Sequence, residues 1–150
     1  MSELNWIYKS FEELSATELY RIIELRNRVF VVEQNCVYND TDEKDLKCHH
    51  LCCWKNSSLI AYARIVPPGV SYEEPSIGRV VSDPGERNRG LGTELMKRAI
   101  EKCRDAFPHK HIKISAQSYL IDFYNNLGFV STGKEYLEDD IPHTEMILSH

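Results

Sequence analysis

The stretch Arg87-Asn88-Arg89-Gly90-Leu91-Gly92-Thr93 places two guanidiniums and two glycines directly ahead of a helix-forming run. A helix N-terminus offers N–H groups without intrahelical partners and the positive end of the dipole, so it attracts phosphate. Gly90 and Gly92 remove side chains where backbone must approach a ligand closely. Arg87 and Arg89 add charge that pairs with phosphate. The same residues also suit a plain glycine-containing turn with solvated arginines, and G-x-G alone does not decide between the two. Leu95 stands where a dinucleotide fingerprint needs its third glycine, and no G-K-[ST] follows, so both nucleotide-loop patterns fail.

Two other stretches carry ligand chemistry. In Cys48-His49-His50-Leu51-Cys52-Cys53, alternation along a strand leaves only Cys48, His50 and Cys52 on one side. Zinc needs four convergent ligands, and no second ligand pair follows at finger spacing. Small buried thiols are the expected role, and no metal is expected. Asn39 to Lys47 begins like a calcium loop at Asp40 and Asp42, then fails at Lys44 with no glycine next. It is expected to be a solvated acidic loop. With Glu73–Glu74 and Glu138–Asp140 it offers negative surface to a cationic amine.

The elements that must position these residues follow one another closely, without repeat, low-complexity tract or linker. Asn5–Lys9 reads as a strand. Ser15–Gln34 reads as one helix, with Ser15 and Glu18 spaced as a capping box and Leu19, Ile22, Ile23, Val29 and Phe30 at helical spacing. Two strands, "HHLCCWK" and "LIAYARIVP", form a hairpin through Asn56–Ser58, and "SIGRVVSDP" is a third. A long amphipathic helix follows the glycine loop. "HIKISA" is a strand, "SYLIDFYNNLG" a short helix stopped by Gly128, and "FVSTGKEYL" and "HTEMILS" close the chain as strands. The order is β-α-β-β-β-α-β-α-β-β, a mixed α/β single domain over residues 1–150 with one central sheet.

The chain has 150 residues and a net charge of -5. That balance argues against nucleic acid as a partner, which needs a basic face. An anion must therefore be held by a local device. No run approaches the roughly 18 apolar residues of a membrane span. The five cysteines are odd in number and follow no export signal, so reduced thiols and a cytoplasmic location are expected.

Arg87–Gly92, set between a strand and a long helix, resembles the R/Q-x-x-G-x-G/A signature of the GNAT superfamily of acetyl-CoA-dependent N-acetyltransferases. Phe123–Phe129, "FYNNLGF", is similar to that family's second motif at the usual spacing. "RNRVFVVEQNCVYNDTD…HH", "AYARIVPPG" and "EDDIPH" resemble its ElaA-like branch. The resemblance covers the whole chain and implies the GNAT fold, acetyl-CoA as cosubstrate and a small-molecule or peptide amine as acceptor. It assigns the pyrophosphate to the backbone of Arg87, Asn88, Arg89, Gly90, Leu91, Gly92 and Thr93. It assigns the pantetheine arm to Val80, Val81 and Ser82, with Gln117 where many relatives carry an asparagine. Tyr124 matches the tyrosine that protonates the departing thiolate. Relatives are often dimers, which leaves a homodimer open.

One departure concerns the base. Ile112 stands near the position where relatives acting on protein N-termini carry a glutamate. Glu33, off the end of an apolar helix on the acceptor side, is the first substitute. His50, able to titrate near neutrality, is the second, and a water relay is the third. The departure keeps a rival reading in play, a GNAT-fold module that binds CoA or acyl-CoA without turnover.

Overall fold

The computed structural model describes residues 3–150. It contains β1 (Leu4–Ser10), α1 (Ala16–Arg26), β2 (His49–Lys55), β3 (Ser58–Val66), β4 (Ser76–Ser82), α2 (Leu91–Ala106), β5 (Ile112–Gln117), α3 (Ile121–Asn126), β6 (Val130–Glu138) and β7 (Ile141–Leu148). This is the element order expected from sequence. The strands form two antiparallel sheets, β1-β2-β3-β4 and β5-β7-β6, in place of one continuous sheet. A backbone hydrogen bond from Lys113 N–H to the Pro75 carbonyl (3.1 Å) ties the starts of β4 and β5. Beyond it the two strands do not pair, so each sheet presents an open edge to the other.

Through the middle of β2 and β3 the faces of the first sheet are divided by alternation. Cys52 and Tyr62 point to α1 and pack with Ile22, Leu25, Val29 and Val81. Leu51, Cys53, Ala61 and Ala63 point the other way, to Leu95, Met96, Ala99 and Cys103 of α2. The core of α2 continues into the second sheet through Ile112, Ile114, Ala116 and Met146. It thereby joins the sheets where hydrogen bonds do not. Each fully buried side chain of this size contributes roughly 1.5–3 kcal/mol.

Ser15 caps α1 as expected: its Oγ accepts from Glu18 N–H (3.0 Å), and Glu18 accepts from Ser15 N–H (2.8 Å). The single helix expected over 15–34 does not hold. After Arg26 it widens into a π-helix over Asn27–Glu33, with Gln34 N–H bonded to the Val29 carbonyl (3.1 Å). The run Val29-Phe30-Val31-Val32 crowds side chains against the preceding turn, and a wider turn relieves that crowding.

Candidate functional site

The divergence of β4 and β5 opens a cleft of about 1350 Å³ running between the sheets. At one end stands the glycine loop. Gly90 is the N-cap of α2 at φ +75°, a conformation that favours glycine, and no side chain caps the helix. The first-turn N–H groups of Leu91, Gly92 and Thr93 are thus left for an outside acceptor, and all three residues line the cleft. Asn88 also adopts a positive φ of 66°, which turns the chain toward the helix. Arg87 and Asn88 line the cleft. Arg89 does not: its side chain is two-thirds exposed and pairs loosely with Glu86 at 3.6 Å.

The walls follow from β4 and α3. Tyr62 opposes Val81 while Arg64 opposes Gly78, so β4 carries one extra residue. Arg79 sits in this bulge at φ +50°. Val80, Val81 and Ser82 line the cleft, with the Val81 side chain also buried in the α1 core. Tyr124 lines the opposite wall, held edge-on between Phe123 and Phe129 at 5.1 and 5.9 Å between centroids. Burial, with help from Tyr119, pushes its phenol up to about 12. Its proton is therefore in place throughout the physiological range.

A strap formed by the residues that end and follow the π-helix crosses the cleft. Glu33 takes two hydrogen bonds from Arg87, at 2.7 and 2.8 Å. Gln34 and Gln117 bond through their side-chain amides at 3.3 Å. The Cys36 thiol donates to the Asp139 carbonyl at 3.5 Å. Arg87 holds the Glu33 carboxyl below its ordinary range, which makes Glu33 a weak base while the pair stands.

Sequence and structure comparison decide the family. Residues 16–150 match the acetyltransferase (GNAT) domain. The chain belongs to the GNAT family. Within it, the chain is 46% identical over 150 residues to a UPF0039 protein of Schizosaccharomyces pombe, with 99% of each chain covered. It is 40% identical over 145 residues to the protein ElaA of Escherichia coli, with 95% of each covered. The crystal structure of that ElaA superposes with a TM-score of 0.92 over 98% of this chain and 100% of that one, at 38% identity. An acyl-CoA N-acyltransferase from Pseudomonas aeruginosa superposes at 0.93 with 40% identity, covering 98% and 100%. The chain is therefore an ElaA-like GNAT protein with an acyltransferase fold.

Two expectations fail inside this GNAT frame. His50 is buried, absent from the cleft wall, and occupied at both nitrogens, by the Tyr62 hydroxyl and by the Asp45 carbonyl at 3.0 Å. Burial lowers its basicity further. A strand histidine can face either side, and β2 turns this one into the α1 side, so it is withdrawn as a base. The loop at Asp40 and Asp42 is not a solvated acidic loop. Asp40 and Asp45 are buried, and three arginines gather around them. Arg26 bonds Asp40 at 2.6 Å and Asp45 at 2.7 Å, and Arg64 bonds Asp42 at 2.7 Å and Asp45 at 3.0 Å. Arg79 Nε stands 2.9 Å from Asp40 Oδ1, near enough to pair but poorly aligned for a hydrogen bond. Burial opposes charge on Asp45, and the two guanidiniums overcome it to hold its carboxyl below the usual range.

Sequence reasoning named Gln117 and the acidic patch at Glu138 but missed the polar layer they share on the second sheet. Ser115 and Gln117 of β5, Tyr136 and Glu138 of β6 and His143 of β7 line the cleft or its far rim. The Tyr136 hydroxyl donates to Ser115 Oγ (2.5 Å). Alternation in "HIKISAQ" contains the signal for Ser115 and Gln117. His143 ends the quoted "EDDIPH", and its place depends on the two-residue turn at Asp139 and Asp140, both at positive φ.

Proposed function

We infer that this protein transfers an acetyl group from acetyl-CoA to a primary amine, by direct attack with both substrates in the one cleft. The observation that carries the reading is the arrangement along that cleft: an uncapped helix N-terminus at one end, two open strand edges in the middle, a polar layer at the other end. The N-terminus of α2 fits a pyrophosphate, which would accept from the N–H groups of residues 90–93. The edge of β4 around Val80 to Ser82 fits the amides of an extended pantetheine arm, and Gln117 faces it from β5. Arg87 would leave Glu33 to pair with phosphate.

Tyr124 then supports departure of the thiolate. Amine attack forms a tetrahedral oxyanion, and its collapse breaks the C–S bond with the electron pair on sulfur. A phenol that keeps its proton to high pH can donate to that sulfur at any physiological pH. Direct attack is favoured over a cysteine-bound intermediate by the state of Cys36. Burial, Asp139 and Asp140 push its thiol up, and it is spent as a donor to a carbonyl.

The test is thiol release from acetyl-CoA across a panel of monoamines, diamines and peptides with free amines. Release that depends on one class of amine supports the reading. Tight acetyl-CoA binding with no release for any amine would replace it with the non-catalytic acyl-CoA-binding module.

A further inference from the structure

The amine-acetylation reading leaves open which group takes the proton from the acceptor, since Glu33 is an exposed carboxylate beside the glycine loop and His50 lies outside the cleft. On that reading, we propose that His143 is the general base and that Glu138 binds the acceptor ammonium beside it. His143 is placed by strand register. It pairs with Gln117 across β5 and with Tyr136 across β6, so its ring shares the cleft face of the second sheet with both. It is 6% exposed and forms the wall between the cleft and a small surface depression.

Its hydrogen bonds set its chemistry. Nδ1 lies 2.7 Å from the Ile141 carbonyl, which can only accept, so Nδ1 carries a proton. The neutral ring must then present Nε2 as a lone pair. Nε2 lies 3.3 Å from Glu138 Oε2, a second acceptor. That approach needs a proton between the two, held on the ring as in a histidine–carboxylate ion pair or supplied from outside. A primary ammonium supplies one N–H to each and retains a third. The titratable groups around the ring are Tyr136, stacked on it at 6.1 Å and 17°, with Glu135 and Glu138 on the same strand. β5 opposes it with the neutral Gln117, and Ser118 flanks it. Glu138 is half exposed and stands between the ring and solvent, which gives the proton an exit.

The step balances as follows. The ammonium gives one proton to His143 Nε2, and the freed lone pair forms the N–C bond. The C–S bond breaks, the pair moving to sulfur. The nitrogen's second proton passes to solvent as the amide forms, and CoA leaves as the thiol after donation from Tyr124, whose phenol regains a proton from solvent, so that one proton is released per turnover.

The experiment measures kcat/KM for a responsive amine against pH, in wild type, His143→Gln and Glu138→Gln, with acetyl-CoA affinity measured in each. His143→Gln should bind acetyl-CoA as wild type does, lose about 10²-fold or more in kcat/KM at neutral pH, and lose the acid limb of the wild-type profile. Glu138→Gln should lower kcat/KM for the amine while acetyl-CoA affinity holds, because the ammonium loses its carboxylate partner. It also decides the matter if His143→Gln fails to fold. An active wild type whose acid limb survives in His143→Gln, or whose kcat/KM for the amine is unchanged in Glu138→Gln, overturns the assignment and leaves amine acetylation standing. A wild type that binds acetyl-CoA and acetylates no amine overturns both.

Discussion

Two regions of this molecule are built from arginine and carboxylate, and they behave oppositely. In the cluster under α1, three guanidiniums meet three carboxylates, with Arg26, Arg64, Asp40 and Asp45 buried and Asp42 and Arg79 partly exposed where the cluster borders the cleft. At the glycine loop, one guanidinium meets one carboxylate in a pair about two-fifths exposed, beside helix N–H groups with no side-chain partner. A closed set of partners fixes structure, because a desolvated charge cannot give up its partner cheaply. An open set leaves its groups available to a ligand, because water and Glu33 are readily displaced.

The contrast can be broken most severely in the cluster. Arg26→Ala should leave the buried Asp45 and Asp40 carboxylates with one guanidinium each, Arg64 and Arg79, and cost up to about 3–5 kcal/mol of stability, read as a lowered denaturation midpoint. At temperatures where the variant is folded, acetyl-CoA affinity should stay near wild type. A large loss of affinity in a folded variant would make the cluster part of the site.

On the cleft side the largest effect should come from Tyr124→Phe, which keeps the ring between Phe123 and Phe129 and removes the hydroxyl. Turnover should fall by about 10²-fold, in kcat and kcat/KM alike, with acetyl-CoA affinity unchanged. With the phenol raised to about 12, neither enzyme should show a limb from its ionisation at ordinary alkaline pH. Near-normal kcat in steady-state assays would reduce Tyr124 to a core residue.

The opposition also explains what the sequence disclosed. The glycine loop, the capping box and the order of ten elements are local, each written in a few adjacent residues. Ser15 and Glu18 cap α1 whatever lies beyond. The ionic cluster joins Arg26 to Asp45 across 19 positions and Arg79 to the Asp40 carbonyl across 39, so nothing local distinguishes those aspartates from solvated ones. The fate of His50 was hidden for the same reason: alternation says that neighbours face apart but does not say which face is the cleft. The gap between β4 and β5 is a matter of register and of the bulge at Arg79, which a strand pattern does not specify. His143 needed the turn at Asp139–Asp140 and the pairing with Gln117 together.

A smaller effect is expected at Gly90. Gly90→Val forces a branched residue into φ +75° and brings a side chain toward the ligand. No protein atom lies within 4 Å of the added Cβ, so the loss should appear in binding more than in packing. Acetyl-CoA affinity should weaken at least about tenfold, or roughly 1.4 kcal/mol, by calorimetry. The smallest effect sharpens the contrast in the other direction. Glu33→Gln removes the carboxylate that competes for Arg87, and affinity for acetyl-CoA should rise a few-fold, on the order of 1 kcal/mol or less for so exposed a pair. A weakened affinity would mean that Glu33 positions Arg87 and does not compete for it.

The most direct test of the division between the two regions is amide hydrogen exchange with and without saturating acetyl-CoA. Slowed exchange is expected in peptides covering residues 87–93 and 79–82, with no change over residues 40–47. Unchanged exchange at 87–93 under saturation, or protection centred on 40–47, would contradict it.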